Sequence, residues 1–203
     1  MPAGCLSFAT RVLTSILESF VGSGAYIGLE TLKSLQAQNS TSLRRLDLRD
    51  LQRATLEHLP LLGPLVNLEY LNIGSVPNSY GLRPRPLEEL LRSCPNIKEL
   101  SVVLVYNFGP TELQQNSALF STIGRLPLLE YFRWFDYAIP SAYTLAPLIY
   151  SLADNPLGKR QGFTLVLRSM HSAQRWDLEN EKDIRYVISQ RLGGELIVEY
   201  GQW

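Results

Sequence analysis

The chain has little of what chemistry at a protein site usually requires. Among its 203 residues are two cysteines, Cys5 and Cys94, and two histidines, His58 and His171. Two cysteines so far apart make no disulfide framework and fit a reducing compartment, so the expected location is cytoplasmic or nuclear. Metal sites need clustered His, Cys or carboxylate ligands, and the two histidines fall in different parts of the chain. No metal and no cofactor is expected. A phosphate loop is absent: Gly158 and Lys159 are followed by Arg160, with Ala153 five positions ahead of the glycine. Gly22, Ser23 and Gly24 are too few for a nucleotide fingerprint and read as a helix stop. No G-x-S-x-G elbow occurs. His171 and Asp177 with a nearby serine come nearest to a catalytic triad, but nothing there builds a strained nucleophile, and a loop histidine is the better reading. The chain reads as non-enzymatic.

Charge of one sign is also lacking. Lys+Arg and Asp+Glu both number 19, the formal net charge is zero, and there is no long basic run. That argues against a nucleic-acid or anionic-membrane binder working by bulk charge. No apolar run is long enough to span a bilayer. Residues 5–21 are apolar-rich, but no basic residue precedes them, and Arg11 and Glu18 interrupt them. A helix suits this stretch better than a signal peptide. One glycosylation sequon, starting at Asn39, carries little weight because so short a pattern arises by chance.

What the chain does have is a repeated phrase. Leu65–Ile73 and Leu126–Trp134 share a leucine, then leucine-Glu-Tyr, then two large apolar residues separated by one polar position. The underlying pattern, L-x-x-L-x-L, recurs at Leu43–Leu48 and Ile97–Val102, more loosely at Gly162–Leu167 and more loosely still at Glu195–Tyr200. Frames starting at 43, 68, 97, 129, 162 and 195 are 25 to 33 residues apart, the signature of a stacked α/β solenoid.

Between these phrases the apolar spacing becomes helical. A helix over 7–21 carries Phe8, Val12, Leu13, Ile16, Leu17, Phe20 and Val21 on one side, and a second runs from about Tyr26 to Ala37. Leu56 to Leu65 is interrupted by Pro60 and Pro64, so one turn or a 3₁₀ piece is expected. Further helices are expected over Pro86–Cys94, Thr111–Arg125, Ser141–Asp154 and Leu178–Leu192, the last stopped by Gly193 and Gly194. Helix-strand units in series require parallel neighbouring strands and right-handed crossovers. The expected fold is a right-handed α/β solenoid with a curved parallel sheet on the concave face and helices on the convex face. Residues 1–27 form its N-terminal capping helix, and residues 28–203 form about six helix-strand units.

The chain resembles the leucine-rich-repeat proteins of the long-repeat, ribonuclease-inhibitor-like type, and the repeat half of F-box/leucine-rich-repeat proteins. Residues 93–100, with Cys94, Pro95 and Asn96 leading into a strand, are similar to the cysteine-proline lead-in of the latter. The resemblance covers roughly residues 28–200. The family has asparagine or cysteine five residues past the middle leucine, where this chain has Leu51, Val76, Val105, Tyr137 and Met170, so wider and less regular loops are expected. No leucine-proline-x-glutamate opening of an F-box occurs in residues 1–42, which points to a divergent or truncated member. The resemblance implies a horseshoe that serves as a protein-binding scaffold, as in a substrate-recognition subunit of a ubiquitin ligase. Its partners would then be a protein on the concave face, plus a Skp-type adaptor and cullin where an F-box lies upstream. The alternative is a regulator of a small GTPase, for which Arg49 and Arg83 are the candidates.

The period of two along each strand separates in-facing from out-facing residues. The in-facing middle positions Leu71, Leu100, Phe132 and Leu165 should stack in one row, and Cys94 should face the core as a small apolar group. The out-facing set supplies the candidate partner-binding residues: Arg45, Asp47, Tyr70, Asn72, Glu99, Ser101, Tyr131, Arg133, Phe135 and Arg168, with Arg49, Thr164, Val166, Ile197 and Glu199 beside them. Tyr and Arg are enriched in binding hot spots. Tyr131, Arg133 and Phe135, flanked by Tyr70, are expected to be clustered and exposed. Replacing out-facing Asp47 by alanine should then cost little. The last strand, 196–200, has Glu199 as its only charge and is expected to leave an edge open to self-association.

Overall fold

One backbone device admits the chain to four successive strands. In the computed structural model, which describes residues 17–23, 27–51, 53–75, 84–104, 110–136, 142–154, 162–169 and 178–200, the turn before a strand closes on itself. Leu43 N–H donates to the Asn39 carbonyl, and Leu68 N–H to the Leu65 carbonyl. These leucines point into the core, but their N–H groups are already used, so the ladder cannot begin there. The next residue's carbonyl then accepts two N–H groups from the following unit. Glu18 O takes Arg44 and Arg45, Arg44 O takes Glu69 and Tyr70, Glu69 O takes Lys98 and Glu99, and Lys98 O takes Glu130 and Tyr131. Strands therefore begin two residues after the expected frame starts in the four regular units.

The strands are β1 Ser19–Ser23, β2 Arg45–Leu51, β3 Tyr70–Ser75, β4 Glu99–Leu104, β5 Tyr131–Asp136, β6 Thr164–Ser169 and β7 Glu195–Tyr200. They form one sheet in sequence order, and every neighbouring pair is parallel. The connecting helices are α1 Leu29–Asn39, the single turn α2 Arg53–Leu56 with a 3₁₀ piece Leu59–Leu62, α3 Pro84–Ser93, α4 Pro110–Gly124, α5 Ala142–Ala153 and α6 Leu178–Leu192. Consecutive helices pack on one another from α1 through the 3₁₀ piece to α6, as a single row against the sheet. The fold is thus α/β, with an all-parallel sheet compatible with a solenoid. Among the described residues no helix is long and apolar enough to cross a membrane.

Two expectations need correction. Residues 19–23, placed in a helix and its stop, form β1 and add a seventh strand; the rest of the expected helix, 7–16, lies outside the described residues. Leu17, Glu18 and Phe20 follow the same frame as Leu43, Arg44 and Leu46, and a partner strand decides between two periodicities that share one apolar run. The frame of the last unit is also off by two residues, since Leu165 pairs with Leu196 and not with Val198. A slip of two leaves every side chain on its own face, so the in/out assignment survives.

The in-facing row is the expected one, and longer. Phe20, Leu46, Leu71, Leu100, Phe132, Leu165 and Leu196 are successive register partners. All but half-buried Phe20 are buried. A second row runs through Leu48, Ile73, Val102, Trp134 and Leu167. Trp134 packs on Phe120 of α4 with ring centroids 4.8 Å apart, and edge-on to Phe132 at 6.1 Å. The helices meet these rows with Leu32 and Leu35, Leu87 and Leu90, Leu119 and Ile123, Leu145 and Leu148, and Ile184 and Ile188.

The turns stack as well. Asn67 donates its amide to the Thr41 carbonyl at 2.8 Å and Asn96 to the Val66 carbonyl at 2.9 Å, so each turn is tied to the one before it. Positions 76, 105, 137 and 170, where wider loops are expected, lie outside the described residues, while Leu51 is buried within β2. Entry to β7 depends on Gly194, because a Cβ there would sit 1.9 Å from the Phe163 carbonyl oxygen. Cys94 is buried as expected, and burial pushes its thiol up to about 12. Asn39 of the sequon is fully buried, its Oδ1 accepting the Leu17 N–H at 2.7 Å, so the folded chain has no room for a glycan there.

Candidate interaction face of the sheet

Every candidate residue lies on the sheet face turned away from the helices, and the register brings the set into rows. Arg45, Tyr70, Glu99, Tyr131, Thr164 and Glu195 are successive partners, as are Asp47, Asn72, Ser101, Arg133, Val166 and Ile197. A shorter row joins Val103, Phe135, Arg168 and Glu199. Arg45 and Glu99 are exposed, and Tyr70, Asn72, Ser101, Tyr131, Arg133 and Arg168 are half-buried. Arg45 lays its guanidinium over the Tyr70 ring, 3.7 Å from the centroid. Burial, and then the Asp47 carboxylate, hold the Tyr70 hydroxyl above its ordinary range.

Asp47 and Phe135 differ from expectation. Asp47 is only 2% exposed. Its Oδ1 accepts from Arg49 Nε and from Asn72 Nδ2, both at 2.9 Å, and its Oδ2 accepts from Arg49 Nη2 at 2.8 Å. The pairing of β2 with β3 is irregular between Leu48 and Leu51, next to Arg49, which folds back over its own strand. Asp47 therefore builds the sheet instead of offering a free carboxylate, and its removal is expected to destabilise the fold. Phe135 is 4% exposed, with the Arg168 guanidinium 5.5 Å from its ring centroid. It is a floor under the arginine and not an exposed anchor. Val166 in the neighbouring strand is equally buried.

Residue spacing left two charge arrangements unread. At the strand entries Glu69 Oε1 accepts from Arg44 Nη1 at 2.7 Å, and its Oε2 from Lys98 Nζ at 2.8 Å. Those bonds lower the Glu69 carboxyl below its ordinary value and raise Lys98. Glu18, Arg44, Glu69, Lys98 and Glu130 occupy the same place in successive units, so their signs alternate along one lip of the sheet. The signal was present as the second x of L-x-x-L. The other arrangement is on the far strands. Arg133 Nη2 and Arg168 Nε both approach one atom, Glu199 Oε2, and each stops at 3.8 Å.

Of the remaining candidates, His58 is exposed beside the 3₁₀ piece, whereas His171, Asp177 and Arg83 lie outside the described residues. Among the described residues no three His, Cys, Asp or Glu side chains gather to hold a metal ion. Set against models of known protein families the chain matches none, and a search of curated proteins finds no match.

Proposed function

We propose that this chain is a non-enzymatic, leucine-rich-repeat scaffold of the long-repeat type, whose sheet curves into a horseshoe and holds a protein partner on its concave face. One observation carries the reading: Arg45, Tyr70, Tyr131, Arg133 and Arg168 stand in registered rows on a rigid sheet, while alternate residues of the same strands fill the core. Arginine and tyrosine so placed give up little conformational freedom on binding, which favours affinity. In the cell this scaffold acts in the cytoplasm or nucleus as a substrate-recognition subunit of a ubiquitin ligase, joined to a Skp-type adaptor and cullin. The small-GTPase alternative draws less support, because Arg49 is engaged twice by Asp47 and is not free to reach a nucleotide.

Affinity purification with mass spectrometry tests the proposal, using the full chain beside a variant with Arg45, Tyr70 and Tyr131 replaced by serine. Recovery of an adaptor, a cullin and a further protein that the variant loses would support it. A GTP-loaded GTPase would favour the alternative. Partners retained in full by the variant would overturn the sheet face as the binding surface.

A further inference from the structure

Glu99 has the central place on the sheet face and no partner for its charge. It opens β4, the fourth of seven strands. Its side chain is exposed, and Ser101, the next outward residue of the same strand, is too small to overhang it. The cations around it are engaged elsewhere. Lys98 and Arg44 close on Glu69 at 2.8 and 2.7 Å, and Arg45 lies over the Tyr70 ring, 3.7 Å from its centroid. Arg133, diagonal to Glu99 on β5, turns its Nη2 toward Glu199, 3.8 Å away. Among the described residues no Lys, Arg or His comes within ion-pair distance of the Glu99 carboxylate.

What flanks the carboxylate is aromatic on both sides. Tyr70 is its register partner on β3 and Tyr131 on β5, so the two tyrosines stand on strands about 9–10 Å apart with Glu99 midway. Burial first, then Asp47 and Glu99 against an opposing Arg45, hold the Tyr70 hydroxyl above its ordinary range, so the Glu99 charge is felt at that side chain. A cation seated on the carboxylate would lie within reach of both rings, whose faces attract positive charge. Glu195, the other exposed carboxylate of this row, has Thr164 as its register partner and no aromatic neighbour in the row. Contacts that lose water at the middle of an interface are the ones that contribute most to binding, and Glu99 holds that position.

We propose that Glu99, between Tyr70 and Tyr131, receives a basic side chain, lysine or arginine, of a protein partner. This rests on the reading of the sheet as a protein-binding face and names the chemistry of what it binds. Charge complementarity selects the occupant: the carboxylate supplies the ion pair, and the rings supply cation–π contact and an apolar wall for the stem. A nucleic acid would meet repulsion at the same carboxylate.

Random linear peptides displayed on phage and selected on the full chain provide the probe. Selected peptides should be enriched in Lys or Arg and weaken about tenfold on Glu99→Gln, a loss between that of an exposed ion pair and that of a desolvated one. Selection on Glu99→Lys should turn the bias from basic to acidic. Tyr131→Leu should weaken the same peptides and Tyr131→Phe should not, because the ring and not the hydroxyl meets the cation. Circular dichroism and a matched thermal midpoint establish that the variants are folded. Peptides lost on the Arg45/Tyr70/Tyr131 variant but without a basic bias, or unmoved by Glu99→Gln, would overturn the Glu99 site and leave the protein-binding face intact. Failure to select any peptide sensitive to sheet-face substitution would overturn both.

Discussion

On β2 and β3 the Arg49 guanidinium closes on Asp47 at 2.8 Å, whereas on β5 and β6 Arg133 and Arg168 both stop 3.8 Å from the one carboxylate they share. The two ends of the same face use the same residue types. What differs is how closely arginine and carboxylate approach. Asp47 receives three hydrogen bonds and is consumed in holding two strands together, and Glu69 is shared between Arg44 and Lys98 with one oxygen for each. At the far end two arginines meet one half-exposed carboxylate through a single oxygen. A closely bonded, buried carboxylate contributes to stability, whereas a loose, half-exposed one contributes little.

The largest expected effect tests whether the ends share one core. Leu100 lies at the middle of the in-facing row and is fully buried, so Leu100→Ala should cost about 2–5 kcal/mol in urea unfolding. A loss of structure confined to one end would show that the halves fold separately. Next is Asp47→Ala, expected to cost about 2 kcal/mol because hydrogen bonds to a buried carboxylate disappear. A neutral result would remove the contrast between the two ends.

Arg185 sharpens the comparison at the sheet edge. Glu195 N–H donates to the carbonyl of Phe163, just ahead of β6, so the groups of Leu196 turn outward, and Arg185 Nη1 donates to the Leu196 carbonyl at 2.7 Å. Among the described residues β7 pairs only with β6, and this arginine covers one of its outward acceptors. Arg185→Ala should promote self-association across a concentration series in analytical ultracentrifugation, and adding Ile197→Lys should reverse it. A variant as monomeric as the parent would show that the edge is guarded elsewhere.

A smaller change is expected from Glu199→Gln, whose stability should stay within about 1 kcal/mol of the parent, since loose, half-exposed pairs contribute little. A larger loss would make Glu199 structural and remove its contrast with Asp47. The smallest effect concerns pH. Glu69 is held below its ordinary value of 4.5, so its contribution is present above that pH and is lost as pH falls through the lowered value. Lys98 is raised from 10.5, so its contribution is present below that pH and is lost as pH rises through the raised value. The contribution of this ladder to the unfolding midpoint should therefore be flat between those limits, and Glu69→Gln should flatten the acid side. An unchanged acid slope in that variant would show that the strand-entry ladder adds no pH dependence.

Much of the fold was legible from spacing. Four leucine phrases placed β2 to β5 on the right faces, and the two prolines at 60 and 64 correctly foretold a 3₁₀ piece where other units have a full helix. β1 was not, because Gly22 occupies the third apolar position of its phrase and the run before it has helical spacing. The face was legible as a set of outward residues; which of them are free was not. Phe135 and Asp47 lie on the outward phase yet are buried, since exposure depends on neighbouring strands and not on phase alone.

By itself the sequence determined the alternation of buried and outward side chains, the parallel strand order and the inert environment of Cys94, because these follow from local periodicity and from short connections. Only the tertiary structure decided that Asp47 is spent within the sheet, that Arg185 reaches the β7 edge, and that Arg133 and Arg168 converge on Glu199. Those contacts join residues 11 to 66 positions apart or turn on an irregular strand pairing, and side-chain reach across strands leaves no mark in residue spacing.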